Sequence, residues 1–88
     1  MNITKTHHID CGDKNKDGLY GYYYEYDIYT FNFDDVTIIV RKYSDEESAH
    51  FLRQEKDGKK VSIKKSDLIK PSFLKSIEYL RKNGITKL

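Results

Sequence analysis

Three groups of side chains in this sequence have the types and spacing to do chemistry. The first is Asp13-x-Asn15-x-Asp17-Gly18. Oxygen-bearing side chains at alternate positions, closed by a glycine for a sharp turn, open a calcium loop because they wrap a hard cation. The rest of that pattern is missing. The bidentate Glu of such a loop belongs at its twelfth position, where this chain has Tyr24, and Lys14 and Lys16 place positive charge inside the loop. The expected state is a solvated turn with no metal and no cofactor. Metal binding at Asp13, Asn15 and Asp17 is kept as a third functional reading.

The second group is His7, His8, Asp10 and Cys11. Zinc takes these ligand types, but a structural site pairs ligands at both ends of a loop. Here there is no second Cys, and the other His is His50. A Cys–His nucleophilic pair needs a third, orienting group and donors for an oxyanion, and the sequence offers neither. His50, between Ala49 and Phe51, reads as a packed or interface residue. No catalytic residue is nominated, and the chain is expected not to be an enzyme.

The third group is aromatic. Tyr20, Tyr22, Tyr23, Tyr24, Tyr26 and Tyr29 fall within ten residues. Tyr offers large rigid area with one polar tip and is favoured at protein interfaces. It also stacks on exposed bases, but Glu25, Asp27, Asp34 and Asp35 interleave with these rings, and carboxylates repel a phosphate backbone. The expected partner-binding face is therefore Tyr22, Tyr24 and Tyr26 with Glu25, Asp27, Asp45, Glu46 and Glu47. If those rings are buried, the face shrinks to its acidic fringe. Basic residues concentrate elsewhere, at Lys59, Lys60, Lys64, Lys65, Lys75, Arg81 and Lys82, which is the alternative, nucleic-acid-binding reading.

The elements that must position these groups are β-rich and then helical. Residues 1–18 read as an irregular N-terminal segment, and residues 19–88 as one domain. Leu19 to Phe33 is a strand, with Tyr29, Phe31 and Phe33 on one face and Tyr22, Tyr24, Tyr26 and Ile28 on the other. The apolar face changes near Ile28, which predicts a bulge there or a sheet covered on both sides. Asp34-Asp35 turns the chain into Val36 to Tyr43. Ala49 to Glu55 and Lys60 to Lys64 form a second hairpin around Asp57-Gly58, a strong turn signal. A rival helix starting at Ser44, with Glu47 at the capping-box position, loses to the strand because the Asp-Gly turn needs a strand on each side. Ser66 is a candidate cap for a short turn. Pro71 opens an amphipathic helix whose apolar face is Phe73, Leu74, Ile77 and Leu80, Gly84 ends it, and residues 85–88 could add a short strand. The fold expected is α+β: about four antiparallel strands packed by one C-terminal helix.

Composition fits this. The chain has 88 residues, enough for one core, and its twelve Tyr and Phe argue against disorder. A single Cys, no apolar run behind the N-terminal charge and no stretch of about 20 apolar residues lead to the expectation of a cytoplasmic protein without a membrane span. The formal charge of +2 divides unevenly: residues 1–57 carry seven Lys/Arg against twelve Asp/Glu, and residues 58–88 nine against two.

From Arg41 to Gly84 the chain resembles a group of small uncharacterised bacterial proteins. In that group Arg-x-Tyr-x-Asp leads into Ala-His-Phe-Leu-x-x-Glu, a Gly turn, Asp-Leu, Pro-x-Phe and Tyr-Leu-Arg-x-x-Gly. Here these are Arg41, Tyr43 and Asp45; Ala49 to Leu52 and Glu55; Gly58; Asp67 and Leu68; Pro71 and Phe73; and Tyr79 to Arg81 with Gly84. The resemblance implies an α+β fold and no established activity. By size and shape the chain also looks like immunity proteins of toxin–immunity pairs. The leading expectation is a non-enzymatic protein-binding domain that neutralises a toxin, its acidic aromatic face suited to a basic partner.

Overall fold

Five strands follow one another as a meander, and one helix closes the fold. The computed structural model describes residues 2–12 and 21–87. Strand β1 is Asn2–Cys11, β2 Tyr23–Asn32, β3 Thr37–Tyr43, β4 Ala49–Lys56 and β5 Lys59–Val61; a 3-10 turn spans Lys65–Ile69 and helix α1 spans Pro71–Lys82. The sheet order is β1-β2-β3-β4-β5, every neighbouring pair antiparallel. This is the α+β architecture expected, with one strand more. No described helix is long and apolar enough to cross a membrane.

The added strand corrects the reading of the N-terminal segment as irregular. Residues 2–11 pair with β2 along their whole length, from Asn2↔Asn32 to Cys11↔Tyr23. Nearly all of β1 is exposed on both faces, so it never needed the apolar alternation by which strands are recognised. Its β-branched residues Ile3, Thr4, Thr6 and Ile9 were the remaining signal.

Pleating sends Tyr29 and Phe31 of β2, Ile38 and Val40 of β3 and Ala49 of β4 to one side. There they meet Phe73 and Leu80 of α1, and all are buried. Phe51 packs on Phe73 at 5.5 Å between ring centres and Phe31 meets Tyr79 edge-on at 5.6 Å. The helix face is Phe73, Ser76 and Leu80 with Ile77 half-buried; Leu74, expected in the core, is exposed. Ser76 fits against the sheet because its hydroxyl donates to the Ser72 carbonyl at 2.9 Å and is satisfied without a partner from outside the helix.

The expected bulge near Ile28 is absent. Pairing across β2 is unbroken on both sides, and the irregularity lies between β3 and β4, where Ile39 pairs with Arg53 and Val40 with Phe51. Leu52 is the extra residue. Nor is the sheet covered on both sides, because α1 lies on the Phe31 face alone.

The turns follow local chemistry. Asp57 and Gly58 both take positive φ, at 52° and 76°, the geometry of a tight two-residue hairpin. Gly84, at φ 87°, ends α1: its N–H donates to Arg81 and that of Ile85 to Leu80, which caps two orphan carbonyls and turns Ile85 into the core. Ser66 is not the cap of the 3-10 turn. Asp67 ties it instead, accepting the Lys64 N–H at 3.0 Å, the Gln54 side chain at 2.9 Å and the Lys70 ammonium at 2.7 Å. Ser44 to Ser48 forms a turn and not a helix, and near the C-terminus a single bridge links Ser48 and Lys87.

Candidate binding face

The two long strands β1 and β2 outrun the helix, which gives the molecule extents of 50 × 29 × 23 Å. Register decides what shares the uncovered side of the sheet. His8 and Asp10 pair with Tyr26 and Tyr24, Tyr26 pairs with Tyr43, and Ile28 with Arg41. These residues lie opposite the Phe31 face, and no described element covers them.

They make a contiguous aromatic cluster around one cation. His8 stacks on Tyr26 at 5.3 Å, Tyr26 meets Tyr43 edge-on at 5.6 Å, Tyr43 leans on Tyr24 at 5.8 Å, and Tyr24 on Tyr22 at 5.9 Å. The guanidinium of Arg41 lies 4.8 Å from the Tyr43 ring centre and 5.9 Å from that of Tyr26. Its Nε–H is buried, and the group has no hydrogen-bond or ion-pair partner among the described residues. A buried donor without an acceptor costs about 1–3 kcal/mol, so the fold tolerates a penalty to hold this cation among rings. Tyr22 and Tyr24 are about half exposed. The end of the cluster is built on Gly12, where a side chain would come within 3.0 Å of the Tyr22 ring.

The carboxylates expected beside these rings are divided from them by the pleat. Glu25 and Asp27 point to the other side, where they clamp His7: Nδ1–H donates to Asp27 at 2.7 Å and Nε2–H to Glu25 at 2.9 Å. Carboxylates only accept, so keeping both bonds at once requires the imidazolium form of the ring. Asp27 first, then Glu25, holds the His7 pKa above its ordinary value. Lys5 reaches Asp27 at 3.8 Å. Glu46 accepts from His50 at 3.3 Å and Glu47 from Lys87 at 2.7 Å. Of the expected face, Tyr24, Glu25 and Asp45 do come together, lining a shallow hollow of about 140 Å³ with Tyr23 and Ser44. The backbone bond from Ser44 N–H to Glu25 at 2.8 Å holds its two walls together.

The basic set does not join the rings. Lys75, Arg81 and Lys82 are exposed on α1, across the sheet from the cluster, and Lys82 pairs with Glu78 at 3.1 Å. Lys64 and Lys65 sit at the 3-10 turn, and Lys59 and Lys60 on the far strand β5. Asp13, Asn15 and Asp17 lie outside the described residues. His7, His8, Asp10 and Cys11 are split by the pleat, His7 and Cys11 to one face, His8 and Asp10 to the other. No group of three metal-ligating side chains assembles among the described residues. His50 is exposed, which makes it a surface residue and not a packed one.

Arg41, Tyr43 and His8 are the members of the face that sequence reasoning missed. The signal for two of them was present: a turn at Asp34-Asp35 fixes the β2–β3 register and sets Tyr43 opposite Tyr26 and Arg41 opposite Ile28. Comparison with protein-family models, with curated proteins and with solved structures finds no match.

Proposed function

We propose that this chain is a non-enzymatic protein-binding domain whose docking surface is the uncovered face of the sheet, centred on Tyr24, Tyr26, Tyr43 and Arg41. One observation carries the reading: an aromatic cluster around a cation that has no hydrogen-bond or ion-pair partner among the described residues, on a sheet face that no described element covers. Tyr and Arg are the residues that dominate binding energy at interfaces, because they combine large rigid area with directional polar groups. His7 has both ring nitrogens engaged by carboxylates, which supports a structural role for that ring over proton transfer.

The same geometry changes the chemistry expected of the partner. Glu25, Asp27, Glu46 and Glu47 are each hydrogen-bonded to a His or Lys side chain of this chain. At the centre of the face Arg41 is a charge without a hydrogen-bond or ion-pair partner among the described residues. A partner presenting apolar area and a carboxylate fits it better than a basic one. A polyphosphate fits less well, since Asp10 flanks the rings and the helix cations lie across the sheet. Toxin neutralisation by direct binding is the most concrete form of such a role for a domain of this size.

The test is capture from the native cytosol on immobilised chain, with and without nuclease, beside a Tyr26→Ser/Tyr43→Ser variant. A stoichiometric protein that survives nuclease and is lost with the variant supports the reading. Capture that vanishes with nuclease sends the function to the basic residues instead. For the toxin form, co-expression of the captured protein should arrest growth without this chain and not with it.

A further inference from the structure

The 3-10 turn is built inside out. Its buried residue is a carboxylate, Asp67, held by Gln54, the Lys64 N–H and the Lys70 ammonium. The two aliphatic residues that follow face solvent instead, Leu68 in part and Ile69 to 76%. Leu74, one turn into α1, is 52% exposed as well. Gln54 pairs with Ile38 of the core face, so the turn that it holds lies on the helix side of the sheet, away from Tyr26 and Arg41.

These bare aliphatics stand among cations. Lys64 and Lys65 lead into the turn, Lys75 follows Leu74, and Arg81 lies seven residues beyond Leu74 on the same stripe of α1. Residues 58–88 hold two acids, Asp67 and Glu78, and these are taken by Lys70 at 2.7 Å and Lys82 at 3.1 Å. No ion pair neutralises Lys64, Lys65, Lys75 or Arg81 among the described residues.

We propose that this patch docks the domain on an anionic lipid surface, with Ile69 and Leu74 entering the boundary between headgroups and acyl chains and the lysines lying against lipid phosphates. Positive charge without its own counter-ions calls for an anionic partner, and bare aliphatics call for an apolar one. An anionic bilayer offers both in adjacent layers. A nucleic acid offers phosphates but no apolar acceptor for Ile69, and the exposed rings that it would stack on lie across the sheet. A protein interface is depleted of lysine and centred on aromatic residues, whereas Phe51, Phe73 and Tyr79 on this side pack into or against the core. The contact is peripheral and needs no span. Docked this way, the molecule turns its aromatic face away from the lipid, so a protein partner can bind at the same time.

Flotation of the full chain with vesicles tests this, using phosphatidylcholine alone and phosphatidylcholine mixed with phosphatidylglycerol. The chain should float with the mixed vesicles and not with the neutral ones, and added salt should weaken the association. Ile69→Ser/Leu74→Ser should lower the bound fraction's association constant by about tenfold or more. Lys64→Gln/Lys65→Gln should do so to a similar degree. Circular dichroism checks that these exposed substitutions leave the fold intact. Tyr26→Ser/Tyr43→Ser should float as the parent does, which separates this proposal from the protein-binding face. Absence of flotation with the anionic vesicles, equal binding to neutral ones, or binding indifferent to Ile69→Ser/Leu74→Ser would each overturn it. So would tighter binding to RNA than to the vesicles, with the aliphatic variant unaffected.

Discussion

The Arg41 guanidinium stands 4.8 Å from the centre of the Tyr43 ring, with its Nε–H buried and without an acceptor among the described residues. Two effects of similar size oppose each other there. The stranded donor costs about 1–3 kcal/mol, and cation–π attraction at a half-exposed site returns about 0.5–1 kcal/mol per ring. Replacing the cation by an apolar side chain of similar reach removes both. Urea unfolding of Arg41→Leu should therefore stay within about 1 kcal/mol of the parent, or rise above it. A loss of about 3 kcal/mol would mean that Arg41 is held for stability and not for a ligand.

The His7 clamp makes a prediction in pH. Both of its bonds require the imidazolium, and its pKa is raised in the folded chain above 6.5. A group whose folded pKa is raised contributes fully below its unfolded pKa and loses that contribution as pH rises through the folded value. The β1–β2 hairpin should therefore loosen as pH rises past about 6.5. Amide exchange along β1, corrected for intrinsic rate, should accelerate over that range in the parent chain and stay flat in His7→Gln.

Gln54 and Asp67 form the polar joint between sheet and turn. Gln54 is buried and donates to Asp67 at 2.9 Å and to the Ser62 carbonyl at 3.2 Å. Truncation leaves both acceptors short, and Gln54→Ala should cost about 2 kcal/mol in urea unfolding. Lys70 above all, then the Lys64 N–H and Gln54, hold the Asp67 carboxyl well below the usual carboxylate range. The sign is opposite to that of His7. This contribution is present above about pH 3.8 and fades as pH falls toward the lowered folded value. The acid-side fall in Tm should be steeper for the parent than for Asp67→Asn.

Much of the fold was legible because its elements carry local signals. Pro71, Gly84 and Asp57-Gly58 mark boundaries by backbone chemistry, and Tyr29 and Phe31 mark the core by alternation. β1 was not legible, since a strand exposed on both faces shows no apolar period. Helical spacing puts Leu74 in the core, a place that Ser76 takes instead. At the candidate face strand alternation separates Tyr24 and Tyr26 from Glu25 and Asp27, while nearness in sequence groups charge and aromaticity as one surface. Arg41 and Tyr43 needed the β2–β3 register, a long-range relation that the turn at Asp34-Asp35 encodes only indirectly.

The uncovered sheet face is the surface proposed to bind the partner. Its most direct measurement is the affinity of the captured partner for Tyr26→Ala, Tyr43→Ala and Arg41→Leu, with Lys75→Ala and Lys82→Ala as controls across the sheet. Each face variant should weaken binding by about tenfold or more, and the helix variants should stay within about twofold of the parent. Unchanged affinity in the face variants, or loss confined to Lys75→Ala and Lys82→Ala, would contradict it.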